Sequence, residues 1–327
     1  VLAPRDRTAP QRARDMTSAS MISVLMATHN GADTIGRTLA AMSELEAPAD
    51  GWKLVIVNNG STDDTEAHIL KWRERLPLEY VTEPRLGKST AMNTALEHAE
   101  GDFIIMTDDD VLPDRNWLTE WRRVADALPQ CSVFGGAIVP EFDDGPPAFD
   151  MPTTWLTVLY AKTPDLAEGE IEPFDVSGPN MAIRKSVYEG GERFDKGFLV
   201  GKYGLMGEDS EFVRRAWAHG YKVGFAPHAR VRHIVHKEQM SWRWMQHRFF
   251  RHGHTMFMLE DVRENKDTRR LEFVFPRWRI RRMAVSLLKL LLAAASLNRQ
   301  GMFSHCRSMA YDLGALQQAR ILSRQER

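Results

Sequence analysis

FIIMTDDD, at residues 103–110, joins a run of four apolar residues to a threonine and three aspartates. The apolar run is typical of a strand that is buried on both faces of a sheet. Carboxylates repel one another, so three of them at the end of a buried strand favour a bound cation. Oxygen ligands suit Mg²⁺ or Mn²⁺, which commonly share their coordination sphere with substrate phosphates. An exposed acidic turn or a helix cap is the alternative interpretation of the triplet.

Two earlier apolar runs stop at polar residues in the same way. Residues 22–27 lead into THNG at residues 28–31, and residues 53–57 lead into NNGS at residues 58–61. Segments with helical spacing separate these runs, and buried strands that alternate with helices predict an α/β fold with a mostly parallel, doubly wound sheet. Ligands bind such sheets at the carboxyl ends of the strands. We therefore expect the three polar groups to lie together at one edge.

These motifs, in this order, resemble those of family 2 glycosyltransferases. The similarity covers residues 21–253 and implies the Rossmann-like GT-A fold and an inverting enzyme of the bacterial type. The triplet resembles the family's DxD motif, with Asp110 as the more direct metal ligand and Asp108 nearer the ribose. The resemblance assigns nucleotide binding to the following residues: Ala27, Thr28, His29, Asn30, Asn58, Asn59, Lys88, Asp108 and Asp109.

The resemblance also implies a divalent cation, Mn²⁺ or Mg²⁺, bound by Asp108, Asp110 and His233. For His233, a histidine at the surface or at the edge of the core is the alternative. Asn58 and Asn59 stand where the family often has an aspartate that reads the base, and asparagine can donate as well as accept hydrogen bonds. This departure weakens the assignment of uridine, so UDP remains the first choice of donor nucleotide while GDP and dTDP are left open.

GED, at residues 207–209, resembles the family's ED motif, whose aspartate deprotonates the acceptor hydroxyl. Inversion requires in-line attack, so the base must face the donor from the side opposite the leaving diphosphate. We assign this role to Asp209, with Glu208 as a second catalytic candidate and a helix cap as the alternative. Gly178 and Asn180 resemble the loop that borders the sugar and the acceptor, although both residues also favour turns.

The predicted reaction is a metal-dependent single displacement from a nucleotide-diphosphate sugar to a hydroxyl acceptor. The expected acceptor is a glycan or a lipid-linked molecule in polysaccharide biosynthesis. A sugar-nucleotide nucleotidyltransferase is one alternative, but its first strand is normally followed by a Gly-rich basic loop, and residues 28–33 contain no lysine or arginine. A non-catalytic sugar-nucleotide-binding protein is another, and the intact carboxylates of Asp108, Asp110 and Asp209 argue against it.

The same reasoning predicts how the chain is divided. Residues 21–240 are expected to form the GT-A catalytic domain, with a nucleotide-binding half at 21–112 and an acceptor-binding half at 113–240. A helical C-terminal region at 241–327 follows, and residues 1–20, rich in Arg, Pro, Ala, Ser and Thr, are expected to be a flexible leader.

The composition of the chain limits which classes of partner it can bind and indicates the cellular compartment. The 327 residues include 43 Lys plus Arg and 44 Asp plus Glu, a net charge of −1, so we expect no nucleic acid partner. Two widely spaced cysteines, Cys131 and Cys306, do not make a disulfide framework and favour a reducing compartment. The leader lacks the apolar run of a signal peptide, which favours the cytoplasm.

The most apolar stretch of the chain is MAVSLLKLLLAAASL at residues 283–297. As a helix it would reach only about 22 Å, short of the roughly 30 Å hydrocarbon core, so we predict that it does not span a membrane. Basic residues lie on both sides of it, and such a helix can lie in the interface of an anionic inner leaflet. We therefore predict peripheral membrane contact through residues 277–299. Packing on the catalytic domain, or on a second subunit in a homodimer, is the alternative.

Overall fold

The computed structural model describes residues 21–147, 151–196, 206–262 and 277–325, so the predicted leader lies outside the described residues. Within them, nine strands form a single sheet. The strands are β1 (Ile22–Thr28), β2 (Trp52–Asn58), β3 (Leu78–Thr82), β4 (Phe103–Asp108), β5 (Val111–Pro113), β6 (Cys131–Phe142), β7 (Gly169–Ile171), β8 (Asn180–Arg184) and β9 (Lys222–Val235).

Helices connect the strands and cover both faces of the sheet. They are α1 (Ile35–Met42), α2 (Thr65–Leu70), α3 (Lys88–Glu97), α4 (Trp117–Ala127), α5 (Thr153–Tyr160), α6 (Lys185–Glu189), α7 (Glu208–Ala218), α8 (Trp242–Met256), α9 (Arg277–Ala295) and α10 (Arg299–Gln325). Side chains of α1, α2 and α4 pack on one face of the sheet, and side chains of α3 and α7 pack on the other. The apolar runs seen in the sequence therefore lie inside two hydrophobic layers.

The strand order is β3-β2-β1-β4-β8-β6-β9-β5, with β7 beside β9. Strands β3, β2, β1, β4, β6 and β9 run in one direction, and β8, β5 and β7 run in the other. This confirms the predicted α/β fold with a mostly parallel sheet and a helical C-terminal region. The predicted boundary between the two halves of the domain, after residue 112, falls inside β5, and the division itself stays a prediction.

The register of the first strands places their polar ends together, as predicted. Thr28 at the end of β1 is paired with Asn58 at the end of β2, and Ala27 is paired with Asp108 at the end of β4. Because β4, β1 and β2 are parallel neighbours, these three ends share one edge of the sheet. The candidate nucleotide-binding residues that follow these strands therefore begin at the same edge of the sheet.

The last strand is longer than the sequence indicates. Residues 221–225 have the pattern of a strand, and Pro227, just after them, lacks the N–H that a central strand needs. The structure continues β9 to Val235 because the pairing with β6 shifts: Ala226 pairs with Gly136, whereas the next pair is Arg230 with Ala137. The proline lies in this irregularity, and the continuation carries His233 back to the sheet edge.

The C-terminal helices pack on one another by close backbone contact. A Cβ atom added at Gly253 of α8 would lie 1.9 Å from the carbonyl oxygen of Tyr311, and one added at Gly314 of α10 would lie 1.9 Å from that of Phe250. Two glycines thus allow α8 and α10 to cross at short distance. After α8 the chain continues as a π-helical turn, Phe257–Val262. Among the helices that the structure describes, none combines the length and the apolar character needed to cross a membrane.

Candidate functional site

The strand edge forms one end of a cavity of about 610 Å³. Its walls are the end of β4, the residues that open α7, the loop before β8, the α5 helix and the face of α8. The titratable side chains that line this cavity are Lys88, Asp108, Asp110, Glu208, Asp209, Arg214, His233, Arg248, Arg251 and His252. The predicted acid groups of the two motifs therefore face the same space.

Asp109 points away from this cavity toward the loop after β1. Its Oδ2 atom accepts a hydrogen bond from Thr28 Oγ1, and the carboxylate leaves no room for a side chain at Gly31. Burial, together with the neighbouring charge of Asp110, raises the pKa of Asp109 to about 7. Thr28 and Asp109 thus connect the end of β1 to the end of β4, next to the loop after β1.

Lys88, the first residue of α3, connects the two acidic motifs. Its Nζ lies 2.6 Å from Asp108 Oδ1 and 3.6 Å from Glu208 Oε1. Burial alone would lower the pKa of Lys88, but the charges of Asp108 and Glu208 outweigh it and raise the pKa. The ammonium is therefore held between carboxylates, at a place where a diphosphate can replace them as the partner.

Asp110 is paired with a histidine. His233 Nε2 lies 3.2 Å from Asp110 Oδ2, and His233 Nδ1 lies 2.9 Å from the carbonyl oxygen of Tyr160. A carbonyl can only accept, so Nδ1 carries the proton and fixes the direction in which Nε2 points. Burial would lower the pKa of His233, but the charge of Asp110 raises it, and the same pair lowers the pKa of Asp110 against the effect of its burial.

The predicted metal ligands Asp108, Asp110 and His233 do not form a ready-made site. Within the described residues no group of three or more His, Cys, Asp and Glu side chains is arranged to hold a metal ion. However, Asp110 Oδ1 is buried without a hydrogen-bond partner, which marks an unused oxygen ligand beside His233. A site of one or two carboxylates that substrate phosphates complete is usual for Mg²⁺, so these residues fit a cation bound together with a diphosphate.

Asp209 is held rigidly at the start of α7. Its Oδ2 accepts a hydrogen bond of 2.5 Å from the Gly178 N–H, and its Oδ1 accepts one of 2.8 Å from the Ser210 N–H. Gly207, just before the helix, has φ +85, a conformation that favours glycine. The contact that Gly178, predicted to border the acceptor, makes here is through its backbone N–H, which orients the carboxylate of the predicted base Asp209.

Glu208 lies beside Asp209 and nearer to Lys88. Burial raises the pKa of Glu208, the charge of Asp209 raises it further, and Lys88 opposes both effects. The two neighbouring carboxylates thus have different environments, since only Asp209 has backbone donors on both oxygens.

Asn180, predicted to contact the sugar or the acceptor, is completely buried and uses its amide inside the protein. Its Oδ1 accepts a hydrogen bond of 2.9 Å from Trp117 Nε1, and its Nδ2 donates to the carbonyl oxygens of Ala137 and Ala229 at 2.9 and 2.7 Å. The structure thus places Asn180 as a connection between β8, β6, β9 and α4. A contact with the sugar stays a prediction.

The predicted base-reading residues form a network of turns. Asn59 Nδ2 donates to the carbonyl oxygens of Glu83 and Arg85, and Asn59 Oδ1 accepts from the Gly87 N–H. Asn58 Nδ2 donates to Tyr80 Oη. Both side chains therefore shape the loop, as turn-forming asparagines do.

His29 and Asn30, in the loop after β1, are both exposed. The ring of His29 is exposed, with its Nδ1 2.8 Å from the Asn59 carbonyl oxygen. Asn30 Oδ1 accepts from the Thr62 N–H, and the Asn30 backbone is left-handed, with φ 55. Of these four polar residues only His29 has a ring, and this exposed ring is accessible to a nucleotide base.

The sequence motifs did not identify the wall opposite the strand edge. Thr157, Phe174, Met256 and Leu259 line the cavity but belong to no motif, because lining a cavity is decided by packing between distant segments. Arg248 of α8 also lines the cavity. Burial and the charge of Arg251 lower its pKa to about 10, whereas the cavity carboxylates raise it.

The fold is that of known GT-A structures. The mannosyltransferase PcManGT from Pyrobaculum calidifontis, in complex with GDP-Man and Mn²⁺, matches with a TM-score of 0.62 at 20% identity, over 92% of this chain and 88% of that one. S. aureus TarS 1–349 in complex with UDP-GlcNAc matches with a TM-score of 0.52 at 17% identity, over 89% and 90% of the two chains.

The sequence comparison then gives the family. The model of glycosyl transferase family 2 matches residues 23–191, more than half of the chain, and the chain belongs to this family. It is 25% identical to the probable glycosyltransferase YdaM of Bacillus subtilis over 83% of this chain and 64% of that protein, so it spans less than two thirds of YdaM. It is 28% identical to the succinoglycan biosynthesis protein ExoM of Rhizobium meliloti, over 67% and 68% of the two chains.

Proposed function

We propose that this protein transfers a sugar from a nucleotide-diphosphate sugar to a hydroxyl acceptor by single displacement, with inversion at the anomeric carbon. One observation carries the proposal: Asp209, with both oxygens oriented by backbone N–H groups, faces the same cavity as Lys88, Asp108 and Asp110. A base at one end and phosphate-binding groups at the other are what in-line attack on a glycosyl diphosphate requires.

Asp209 is the proposed general base. The Gly178 and Ser210 N–H groups hold its carboxylate in one orientation while a lone pair on each oxygen stays open to the cavity. The acceptor hydroxyl gives its proton to Asp209 as its oxygen bonds to the anomeric carbon, and the bond to the leaving diphosphate breaks. No covalent intermediate with the protein is required.

The donor diphosphate is proposed to bind beside Lys88, and Asp108, Asp110 and His233 are the residues that would hold the divalent cation next to it. When bound there, Mn²⁺ or Mg²⁺ supplies Lewis-acid stabilisation of the leaving diphosphate. Lys88 stabilises the same charge, and His233 keeps Asp110 aimed at the cavity. The fold match to PcManGT, in complex with GDP-Man and Mn²⁺, supports this assignment.

The proposed donor nucleotide is UDP, with His29 stacking on the base. The complex of TarS with UDP-GlcNAc supports uridine, whereas the complex of PcManGT with GDP-Man keeps guanosine as the competing base. A glycan or lipid-linked hydroxyl is the proposed acceptor class, on the cytoplasmic side, and the likeness to a succinoglycan biosynthesis protein supports a role in polysaccharide formation.

A single exchange tests the mechanism once nucleotide-sugars have been screened for binding. Asp209→Asn should lower turnover by roughly two to four orders of magnitude, the usual effect of losing a general base. Donor affinity, measured by calorimetry, should stay the same, because the base contacts the acceptor. Asp165→Asn, an exposed residue outside the cavity, is the matched control and should be fully active.

Three results would overturn the proposal. Loss of donor affinity in Asp209→Asn would make Asp209 a structural cap, and NMR of a product with retained configuration would exclude single displacement. Release of pyrophosphate instead of a nucleoside diphosphate would identify a nucleotidyltransferase.

A further inference from the structure

The α9 helix touches the rest of the protein along one narrow seam. Its buried side chains are Arg279, Ser286 and Ala293, which repeat every seven residues and face α10. In a helix, positions seven apart lie on nearly the same line, so this spacing describes a contact along one edge only. Among the described residues, no other element packs closely against the opposite side of the helix, and its side chains there are exposed.

The side of α9 opposite this seam is apolar and exposed. Leu288 and Leu291 are 61% exposed and Leu292 is 63% exposed. At 100° per residue, Leu288 and Leu291 lie almost directly across the helix from Ser286 and Ala293. Further exposed apolar side chains widen this surface on both sides: Trp278, Ile280, Val285 and Leu287. A contiguous exposed patch of this kind marks an interaction site.

The charges around the apolar face have one sign. From residue 277 to residue 311 the sequence contains arginines and a lysine but no aspartate or glutamate. Arg279 and Arg282 are used internally, against the buried Asp312. Arg281 and Lys289 are exposed and border the apolar face, and neither is ion-paired with any residue in the described ranges. The surface therefore combines hydrocarbon with unneutralised positive charge.

We propose that α9 docks this protein on an anionic lipid surface, lying in the plane of the interface with Leu288, Leu291 and Leu292 in the acyl region. The apolar face supplies burial, and Arg281 and Lys289 reach the phosphate headgroups. One side of the helix is held by α10, so only the opposite face is available to the lipid. A second copy fits less well, because a two-fold contact would bring the same positive charges together.

Vesicle co-sedimentation of the full chain tests the proposal. The protein should bind vesicles of phosphatidylcholine with phosphatidylglycerol, and less well those of phosphatidylcholine alone. The double variant Leu288→Gln, Leu291→Gln should partition onto the vesicles about tenfold less or worse, because each exchange removes apolar side-chain area that the acyl region would otherwise bury. Both leucines are exposed in the free protein, so the melting temperature should not fall.

Three further variants separate the contributions. The matched control Leu70→Gln, Trp217→Gln removes exposed apolar side chains on α2 and α7 and should bind vesicles normally. Arg281→Gln, Lys289→Gln should weaken binding only to the anionic vesicles and should reduce its sensitivity to salt. Asp209→Asn should bind vesicles like the unaltered protein, so a failure of the proposed reaction is distinguishable from a failure of the docking proposal.

Equal partitioning of the leucine variant and the unaltered protein would overturn the proposal. So would a dimer in sedimentation analysis that the leucine variant converts to a monomer without any vesicle binding, since the face would then belong to a second copy. If the double variant does not fold, Leu292→Gln alone tests the same face.

Discussion

The two acidic motifs of this protein differ in how their carboxylates are satisfied. Asp209, at the start of α7, has an N–H donor on each oxygen, whereas Asp110, in the turn between β4 and β5, has a buried Oδ1 with no side-chain or backbone partner and His233 on the other oxygen. The first turn of α7 supplies the Ser210 N–H, as helix starts do, and the loop before β8 supplies the Gly178 N–H. Asp209 is therefore held in one orientation by the backbone, whereas Asp110 keeps an oxygen unused, as its proposed role in binding a cation requires.

The largest effect is expected when the carboxylate of Asp110 is removed. We expect Asp110→Ala to lower turnover by about three orders of magnitude or more, because the diphosphate loses its cation-dependent stabilisation of several kcal/mol. Removing the carboxylate relieves its repulsion of Asp109 but also breaks the pair with His233, so the two effects oppose each other and the melting temperature should change little. Calorimetry should show that added Mn²⁺ no longer strengthens binding of the nucleoside diphosphate.

Asp165→Ala, at an exposed position away from the cavity, is the control for Asp110→Ala. If Asp110→Ala binds nucleotide with the same dependence on Mn²⁺, the assignment of Asp110 is wrong. If it unfolds, the carboxylate is structural, and the contrast with Asp209 disappears.

The part of the site that the sequence predicts is the part that follows from strand periodicity. The end of β4 and the end of β1 could be placed together because parallel neighbours share an edge. Asn180 shows the limit: its sequence signals a turn, but its amide belongs to Trp117, which lies 63 positions earlier in the chain. The direction of His233 likewise depends on the Tyr160 carbonyl, a contact that no local pattern encodes.

Asn180→Ala tests whether this residue belongs to the acceptor side of the site or to its support. The exchange leaves Trp117 Nε1 and two buried carbonyl groups without a partner, so we expect the free energy of unfolding to fall by about 3 kcal/mol. Urea unfolding measures this effect. Assayed well below its melting temperature, the variant should keep its acceptor KM. An unchanged stability with a raised KM would show instead that Asn180 contacts the acceptor.

The wall of the cavity that α8 provides depends on the contact between α8 and α10. Gly314→Ala should lower the free energy of unfolding by about 2 kcal/mol, because the added methyl group meets the Phe250 backbone. Gly36→Ala in α1 is the matched control. Its added Cβ would have only one ordinary neighbour, at 3.7 Å, so it should be neutral or stabilising. Equal effects of the two variants would mean that the crossing of α8 and α10 is not tight.

Glu208→Gln gives the smallest expected effect and separates the two neighbours in the second motif. Glu208 faces Lys88 and lacks the paired backbone donors of Asp209, so turnover should fall by no more than about tenfold, against two to four orders for Asp209→Asn. A loss as large as that of Asp209→Asn would make Glu208 the base.

Stability as a function of pH gives an independent readout of the same exchange. Burial raises the pKa of Glu208 in the folded state above its ordinary value of 4.5. Between these two pKa values the folded protein binds more protons than the unfolded chain, so this group's contribution makes stability fall as the pH rises through that window. Glu208→Gln removes this contribution, so its free energy of unfolding should fall less over the same window and should match or exceed that of the unaltered protein at neutral pH. Parallel pH profiles of the free energy of unfolding for the two proteins would show that burial does not raise the pKa of Glu208, and would remove this difference between the two carboxylates of the motif.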